Sequence, residues 1–441
     1  MDWSKVPDLA AVALLTCAFA SVARRGQTPF SGLWLKGWIL IALHFAAFIF
    51  LPAPGVWGIL AADIGLAALT GAGVLFMYAA VPYRRQRSSK WMLVALLVTN
   101  TLYVSIINSS PAVDWALTPA AILFGAVPLT LALISIRKFN HPLRWIIVSL
   151  NCSLSVFLLL VQHRSPNGLD LALNGVLFTV YLGCGLHFWF TYRRSTAGAF
   201  ITIAGFFAWA FVFVVAPLMD AFMHGVHIEN EVWNLPKYVV AVGMILLLLE
   251  DQIDHNKYLA LHDELTGLPN RRLFLDRLGA TLERSRRTGS KAALLVVDLD
   301  RFKQVNDTLG HHAGDVLLQH VGSIFTSRVR LTDTVARTGG DEFSIILEDA
   351  GSALYAKQVA GFLLQLLNEP LKVEEKTVWV GASIGVAIFP DDATNIEALC
   401  IAADLRMYND KNHSKRRKHP ASIKPAFDDR AISGGFRTIP D

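Results

Sequence analysis

The sequence AALLVVD, residues 292–298, determines how the C-terminal part of this chain folds. A short, unbroken apolar run of this kind is typical of a buried β-strand. Farther along, Thr334–Arg337 and Glu342–Leu347 flank a tight Gly339-Gly340 turn, which is the pattern of a β-hairpin with acidic residues at its tip. We therefore predict a central strand and an antiparallel hairpin in one domain.

Helical and strand patterns alternate around this hairpin. The predicted helices cover residues 302–309, 313–329, 354–367 and 396–412, and a further strand covers 378–389. Elements in this order predict an α/β domain with a ferredoxin-like sheet. We place the domain at residues 263–418 and expect the Pro-, Ser- and Gly-rich tail, residues 419–441, to be disordered.

The first 250 residues have a different composition. Of all 441 residues, 53% are hydrophobic and 17% are charged, which is unusual for a soluble protein of this size. Residues 1–250 carry 15 Lys and Arg and 9 Asp and Glu, whereas the remaining 191 carry 25 and 26. The net charge of +5 therefore comes from the apolar part, and we attribute it to basic loops beside a membrane and not to nucleic-acid binding.

Nine apolar segments within residues 1–249 are long enough to cross a lipid bilayer as helices. They lie at 7–23, 31–51, 57–81, 91–108, 116–136, 145–161, 170–191, 198–218 and 233–249. Every second connection is basic, namely Arg24-Arg25, Arg84–Lys90, Arg137–Arg144 and Arg193-Arg194. The positive-inside rule then predicts a multi-pass protein of the inner, cytoplasmic membrane, with the N-terminus outside and the α/β domain in the cytoplasm. We expect Lys237, near the start of the ninth span, to reach toward the outer interface.

Six polar residues fall inside these spans: His44, Asp63, Asn100, Asn151, Asn174 and His187. Two interpretations remain open. His44 and His187 could bind a ligand or haem, or the polar residues could form hydrogen bonds between helices, which we favour because no paired-histidine spacing is present. Residues 250–262 follow the last span, and their charged, helix-compatible sequence predicts a helical signalling linker.

Acidic residues at the predicted strand end and hairpin turn indicate a metal site. Asp298 and Asp300 end the strand, and Asp341 and Glu342 lie at the turn. Hard oxygen ligands of this kind, together with substrate phosphates, suit Mg²⁺, with Mn²⁺ as an alternative. The turn after Asp300 exposes backbone amides at a helix start, where phosphates bind, and Lys303 adds a cation. These features indicate metal-assisted nucleotidyl or phosphoryl transfer.

Several short motifs follow one another along residues 263–386. They are Asp263-Glu264-Leu265-Thr266-Gly267-Leu268-Pro269-Asn270-Arg271-Arg272, Asp298-Leu299-Asp300-Arg301-Phe302-Lys303, Asn306-Asp307, Gly310-His311, Gly314-Asp315, Arg337-Thr338-Gly339-Gly340-Asp341-Glu342-Phe343 and Ala382-Ser383-Ile384-Gly385-Val386. In order and spacing they resemble the GGDEF family of diguanylate cyclases, over about 160 residues. The resemblance implies a homodimer in which each subunit contributes one GTP, and two GTP condense to cyclic di-GMP with release of pyrophosphate.

The resemblance also implies catalytic roles. Asp298, Asp341 and the Leu299 carbonyl would hold Mg²⁺, and Asp341 would also accept the proton of the ribose 3′-hydroxyl. Lys303 would stabilise the charge that builds on the phosphate in the transition state. With Glu342 beside Asp341, these residues make up the expected catalytic set.

The implied substrate-binding residues lie on the helices. Asn306 and Asp315 would recognise the guanine edge, with His311 beside them. On the last helix, Lys411 and Lys415 would bind the phosphates, although the family commonly has Arg at the second position. Lysine keeps the charge but loses the bidentate geometry of arginine, so phosphate binding should be somewhat weaker.

Arg330 lies nine residues before Gly339 and begins the segment Arg330-Leu331-Thr332-Asp333. This segment matches the RxxD product-inhibition site of the family. Arg330 would then bind a guanine or phosphate of cyclic di-GMP and couple the product level to activity. A simple surface ion pair between Arg330 and Asp333 is the alternative, because the motif specifies only two residues.

Two other functions compete with a membrane-bound cyclase regulated by its membrane region. The α/β domain could be a catalytically weak receptor for GTP or cyclic di-GMP, which the intact acidic residues and Lys303 disfavour. Alternatively, the membrane region could be a transporter with a regulatory domain, for which an inverted repeat would be the sign, and none is evident.

Overall fold

The computed structural model describes residues 1–25, 31–80, 87–109, 114–134, 142–162, 168–192, 196–223, 230–367, 369, 371–373, 376–378, 380–416 and 424–425. Contacts divide the chain into two units, Met1–Asp254 and His255–Asp441. Each unit has a hydrophobic interior of its own.

Nine long helices make up the described part of the first unit. They are α1 (Val6–Arg25), α2 (Ser31–Phe48), α3 (Val56–Ala79), α4 (Arg87–Ser109), α5 (Leu117–Ile134), α6 (Pro142–Val161), α7 (Gly168–Thr191), α8 (Ala197–Phe222) and α9 (Asn230–Leu261). By length and composition all nine could cross a membrane, as predicted. Because α9 continues to Leu261, the ninth predicted span and most of the predicted linker form one helix.

Aromatic side chains fill the interior of this bundle. Trp34 of α2 stacks on Phe188 of α7, with ring centroids 5.6 Å apart, and Tyr181 of α7 stacks on Trp209 of α8 at 3.9 Å. All four side chains are almost completely buried. Since such pairs gain both apolar burial and favourable ring geometry, they stabilise the contacts of α7 with α2 and α8.

Two of the six polar residues predicted inside the spans bond between helices. His44 Nδ1 lies 2.9 Å from the Gly65 carbonyl oxygen, and Asn108 Nδ2 donates to Asp63 Oδ1 at 2.7 Å. The other four bond to the carbonyl one turn earlier in their own helices: Asn100 to Leu96, Asn151 to Ile147, Asn174 to Asp170 and His187 to Gly183.

Lys237 is buried within the bundle. Its Nζ donates to Asn234 Oδ1 and lies 4.8 Å from the centroid of the Phe45 ring. Asn234 in turn donates to Asp8 at 2.8 Å, and Asp8 also accepts from the Tyr238 hydroxyl at 2.7 Å. Polar and aromatic partners thus surround the Lys237 ammonium group inside the bundle, and its reach toward the outer interface stays a prediction.

The second unit is an α/β domain that continues from the end of α9. Its elements are α10 (Arg271–Thr288), β1 (Ala292–Asp300), α11 (Phe302–Leu309), α12 (His311–Arg328), β2 (Thr334–Arg337), β3 (Glu342–Leu347), α13 (Ala353–Leu367), β4 (Leu371–Val373), β5 (Lys376–Val378), β6 (Gly381–Phe389), α14 (Ile396–Arg416) and β7 (Lys424–Pro425). The main sheet has the order β2-β3-β1-β6, and all its neighbouring strands are antiparallel. The predicted ferredoxin-like arrangement is thereby confirmed.

Successive residues of β1 face opposite sides of the sheet. Leu295 and Val297 join a core that includes residues of α12 and α13, whereas Leu294 and Val296 join a second core with residues of α10 and α14. Because helices cover both faces, the strand must be apolar at every position until its end. Asp298 lies on the same face as Leu294 and Val296 and is the first charged residue of the strand.

Parts of the second unit differ from the prediction. The single strand predicted at 378–389 is divided, since β5 ends at Val378 and β6 begins at Gly381. Neither α10 nor the small sheet β4-β5-β7 was predicted. Within the tail expected to be disordered, Lys424–Pro425 pair with β5, and the rest of residues 419–441 lies outside the described residues.

Asn270 joins the end of α9 to the start of α10. Its Oδ1 accepts hydrogen bonds from the N–H groups of Arg272 and Leu273 at 3.0 and 3.1 Å, which is an N-cap. Its Nδ2 donates to the Ala260 carbonyl and its backbone N–H to the Leu261 carbonyl, both at 2.9 Å. A single residue therefore satisfies free backbone groups at two helix ends.

Replacing Asn270 by alanine should loosen this junction. Loss of an N-cap costs about 1–2 kcal/mol, so we expect amide hydrogen exchange in residues 258–275 to rise roughly tenfold or more. Mass spectrometry of the exchanged full-length protein measures this. Asn395→Ala is the matched control, because Asn395 caps α14 through one bond to the Ala398 N–H at 2.8 Å; its effect should be confined to α14. Unchanged exchange around residue 270 would contradict the assignment.

Candidate active site

Acidic residues from two strands meet at one edge of the main sheet. Asp298 of β1 lies directly opposite Glu342 of β3 and, on its other side, opposite Ser383 of β6. The Asp341 carbonyl at the hairpin turn accepts a hydrogen bond from the Leu299 N–H at 3.2 Å. The register thus brings the end of β1 and the hairpin turn together.

Lys411 of α14 places a cation at this edge. Its Nζ donates to Asp298 Oδ1 at 2.6 Å. The backbone of α14 lies very close to β6, where a Cβ on Gly385 would stand only 1.9 Å from the Ala403 carbonyl oxygen. Any larger residue at 385 would push α14 away, so Gly385 is required for this close approach.

Two further contacts at this edge were not predicted. The buried Ser383 hydroxyl donates to Asp300 Oδ1 at 3.0 Å. Asp410 accepts a hydrogen bond from the Ile384 N–H at 3.2 Å. Asp410 therefore ties α14 to β6, one residue before Lys411.

The electrostatics of the site reflect crowded negative charge. Burial, together with the charges of Asp298 and Asp341, raises the pKa of Glu342 above its usual range. Burial likewise raises the pKa of Asp300. Burial would lower the pKa of Lys411, but its hydrogen bond to Asp298 and the nearby acids outweigh that effect and raise it. Asp298, Asp300, Asp341 and Glu342 outnumber the one ammonium group of Lys411, so a divalent cation would relieve an excess of negative charge.

The donors available here fit magnesium. Asp298, Asp341 and the Leu299 carbonyl are all hard oxygen ligands. Among the residues that the structure describes, no three His, Cys, Asp or Glu side chains converge on one metal-sized point. Phosphate oxygens and water would therefore have to complete the coordination, and Mg²⁺ is normally bound in this way.

The chain turns sharply between β1 and α11. Arg301 has a φ of 61°, in the left-handed region, and no side chain caps the first amides of α11. Lys303 is exposed in this first turn. Uncapped amides beside a lysine are suited to phosphate oxygens, and the role of Lys303 stays a prediction.

Asn306 supplies an unsatisfied acceptor between α11 and α12. Its Oδ1 is buried and has no hydrogen-bond partner among the described residues. It lies where a Cβ on Gly314 would stand, at 1.9 Å, so only glycine fits at position 314. His311 and Asp315 are exposed and four residues apart on α12, hence on one face. The three predicted guanine-binding residues thus lie on two packed helices, and the Asn306 acceptor is left open to a hydrogen-bond donor.

Arg330 and Asp333 do not form a side-chain ion pair in the described part of the chain. The Asp333 carboxylate accepts hydrogen bonds from the backbone N–H groups of Arg330 and Glu348 at 2.9 and 3.0 Å. The Arg330 guanidinium instead lies over the Tyr355 ring, 5.0 Å from its centroid. Of the remaining predicted site residues, Lys415 is in the last turn of α14, and its side chain lies outside the described residues.

Arg337 links the hairpin turn to the segment that follows α9. Its Nη1 donates to both carboxylate oxygens of Asp263 at 2.9 and 3.1 Å, and its Nη2 donates to the Gly340 carbonyl at 2.7 Å. Burial would raise the pKa of Asp263, but hydrogen bonds from Thr266 and Arg337 outweigh burial and lower it. Both residues belong to the quoted motifs, yet no local pattern indicates a contact across 74 positions.

Comparison with known proteins shows what the second unit is similar to. Residues 260–417 match the family model described as diguanylate cyclase, GGDEF domain. The bifunctional diguanylate cyclase/cyclic di-GMP phosphodiesterase MucR of Pseudomonas aeruginosa is 36% identical over 192 residues, 40% of this chain and 28% of that protein. Diguanylate cyclase TpbB of the same organism is 35% identical over 176 residues, 40% of each chain. The crystal structure of the TpbB GGDEF domain is 36% identical, covers 34% of this chain and 92% of its own, and has a TM-score of 0.33. The chain therefore spans less than half the length of these two curated relatives.

The Asp263–Arg337 pair should make the stability of this domain depend on pH. The folded pKa of Asp263 lies below its unfolded value, near 3.8, so its stabilisation is present above that pH and is lost as the pH falls through the folded pKa. Asp263→Asn should therefore lower the unfolding temperature at pH 7, and its difference from the wild type should shrink between pH 5 and pH 3. Calorimetry of the full-length protein measures this.

Asp391→Asn is the control for this experiment. It removes an exposed pair with Lys291, whose contribution should be about 0–1 kcal/mol. A wild-type advantage over Asp263→Asn that stays constant down to pH 3 would contradict the proposed role of the Asp263 carboxylate.

Proposed function

Since residues 260–417 form a GGDEF domain, we propose that this protein is a membrane-bound diguanylate cyclase that condenses two GTP into cyclic di-GMP. The observation that carries this proposal is the meeting of Asp298, Asp341 and Glu342 around Lys411 at one sheet edge. The relatives named above support it, because their names include the same activity.

In the proposed reaction, the ribose 3′-hydroxyl of one GTP attacks the α-phosphorus of the other. The bond to the bridging oxygen breaks and pyrophosphate leaves, and a second such step closes the ring. Each GGDEF domain binds one GTP, so the two substrates face each other only when two copies of the chain pair. The active species is therefore a homodimer, and holding both nucleotides in place lowers the entropic part of the barrier.

Asp298, Asp341 and the Leu299 carbonyl would hold Mg²⁺, or Mn²⁺ in its place. When bound, the ion neutralises phosphate charge and lowers the pKa of the attacking hydroxyl. Asp341 accepts the proton of the 3′-hydroxyl, and Glu342 adds a carboxylate opposite Asp298. Lys303 stabilises the charge that develops on the phosphate.

The remaining contacts of the substrate involve its base and its phosphates. Asn306 Oδ1 accepts a guanine N–H, which satisfies the buried acceptor. Asp315 accepts from the guanine N1–H and N2 amine, with His311 beside it. Lys411, together with Lys415, binds the phosphates.

The first unit anchors the enzyme in the inner membrane, in our proposal. Its nine helices could span a bilayer, and large apolar side chains on them, such as Leu14, Ile134 and Phe200, are more than 70% exposed. Contact with lipid is favourable for this apolar surface, whereas contact with water is unfavourable. The basic charge of every second loop supports an orientation with the N-terminus outside and the GGDEF domain in the cytoplasm. The membrane region would then regulate the cyclase.

Asp341→Ala should abolish the activity without unfolding the domain. We expect product formation from GTP and Mg²⁺ to fall by at least about 100-fold, because a proposed metal ligand and proton acceptor is lost. The domain should stay folded, because Asp341 lies at a partly exposed turn and contributes little to the core. Chromatography of the products of the full-length protein in nanodiscs measures it, and Asp391→Ala is the control for an acid away from the site. Normal product formation by Asp341→Ala would refute the metal assignment, and a wild type that binds GTP but makes no cyclic di-GMP would favour the receptor alternative.

Product inhibition is the second regulatory element of the proposal. Arg330 holds its guanidinium at the surface while Asp333 fixes the turn that carries it. Cyclic di-GMP bound there would lower the activity through a second site.

Arg330→Ala should relieve this inhibition. We expect the concentration of added cyclic di-GMP that halves the initial rate to rise by about tenfold or more, because a charged, bidentate contact is lost. Initial rates at increasing product concentration measure the change. Arg287→Ala, an exposed arginine of α10, serves as the control. An unaltered inhibition curve for Arg330→Ala would exclude this residue from the product site.

A further inference from the structure

Helices α1 and α9 are joined by hydrogen bonds at two separate places. Near the start of α1, the Asp8 carboxylate accepts hydrogen bonds from Asn234 and Tyr238 of α9 at 2.8 and 2.7 Å. Near the end of α1, the Val22 carbonyl accepts one from the Gln252 side chain of α9 at 2.8 Å. Asp8 and Tyr238 are 230 residues apart in sequence, and so are Val22 and Gln252. The two helices therefore run in the same direction with a constant register.

This register extends over much of the thickness of a bilayer. The bonding positions Asp8 and Val22 are separated by about 21 Å of helix, which is roughly two thirds of the hydrocarbon core of a membrane. Helix α9 then continues without a break to Leu261, where the GGDEF domain begins. A shift of α9 against α1 would therefore be carried along one continuous helix to the start of that domain.

Helix α1 is loosely packed apart from these bonds. Only 17% of the residues in its apolar stretch are buried, against 33–56% in the other eight candidate spans of the described residues. Asp8 is nevertheless only 4% exposed. A buried carboxylate is costly unless its hydrogen-bond partners are kept in place, so the bonds to Asn234 and Tyr238 strongly restrain the start of α1 against α9.

Helix α8 leaves α9 little lateral freedom. A Cβ on Gly243 of α9 would stand 2.6 Å from the backbone nitrogen of Thr202 of α8, and a Cβ on Gly198 of α8 would stand 2.6 Å from that of Leu247. The two backbones are in direct contact, as small residues allow between membrane helices. The motions that remain open to α9 are a shift along its axis and a rotation about it, and the bonds to α1 restrain both.

We propose that α1 is a two-ended clamp that holds α9 in one position, and that a signal received by the membrane region changes the cyclase rate by loosening this clamp. Asp8 forms one end of the clamp and the Val22 carbonyl forms the other. The Asp8 end is the stronger, because its carboxylate is buried, charged and bonded twice. This inference rests on the proposed function, and it names the contacts through which the membrane region would act on the active site.

The test compares Asp8→Asn with Asp63→Asn in the full-length protein in nanodiscs. Asp63 is the matched control, because it also accepts a hydrogen bond from an asparagine of another helix, Asn108, at 2.7 Å, and this pair joins α3 to α4. We expect Asp8→Asn to raise amide hydrogen exchange in residues 250–261 by about fivefold or more, although its bonds to α9 lie about 18 Å or more from this segment. Asp63→Asn should stay within twofold of the wild type.

The initial rate of cyclic di-GMP formation is the second readout. It should change by about threefold or more in Asp8→Asn and by less than twofold in Asp63→Asn. A rise would mean that the clamp restrains the enzyme, and a fall would mean that it holds the active arrangement; either result supports the inference. Tyr238→Phe removes one of the two bonds and should shift both readouts in the same direction by a smaller factor. It carries the test if Asp8→Asn does not fold.

Gln252→Leu releases the other end of the clamp. If the two ends act together, the double variant with Asp8→Asn should change the rate by less than the product of the two single changes. A change equal to the full product would contradict a two-ended clamp, because independent contacts multiply in their effects.

In an active protein, a wild-type rate in both Asp8→Asn and Tyr238→Phe would overturn the inference, as would an equal change in Asp63→Asn. Failure of the proposed function gives a different result. A protein that makes no cyclic di-GMP, yet shows faster exchange in residues 250–261 of Asp8→Asn, would disprove the cyclase and leave the clamp intact. A protein that converts GTP at the same rate in all variants, with wild-type exchange, would do the reverse.

Discussion

Repulsion between carboxylates at the end of β1 is the constraint on which the candidate active site depends. Asp298 faces Glu342 across the strand pair, and Asp300 follows two residues later on the same face. Like charges held at this spacing are unfavourable unless a cation lies between them. The structure provides one, Lys411, through a helix whose close contact with β6 requires Gly385. The packing of a glycine in the sheet thus places a positive charge beside Asp298.

The hairpin turn is held from a second direction as well. Arg337 connects the Gly340 carbonyl to Asp263, and Asn270, seven residues after Asp263, connects the end of α9 to the start of α10. The turn that carries Asp341 is therefore part of a continuous set of hydrogen bonds that begins at the last turn of α9. Since buried and partly buried bonds of this kind resist displacement, the acidic turn is fixed by its neighbours and not by its own short sequence.

Local patterns were sufficient for most of the domain. The bounds of the hairpin strands and of α11 agree with the prediction because their apolar periodicity and turn glycines are local properties. The division of 378–389 into two strands was missed, since an apolar stretch does not show where pairing changes from one partner to another. The contact between Asn234 and Asp8 was missed for a similar reason: the two residues belong to α9 and α1, and no local spacing indicates a contact across 226 positions.

For this protein, the order of short motifs determined the family resemblance, the ferredoxin-like order of strands and the identity of the acids, because each depends on residues that are close in sequence. Only the tertiary structure decided that Lys411 contacts Asp298, that Asn306 is left without a donor, and that Arg330 lies on Tyr355 and not on Asp333. Those contacts join residues on different elements, and their geometry follows from how helices pack on the sheet. The charges and the periodicity follow directly from the sequence, whereas the partner of each charge depends on tertiary packing.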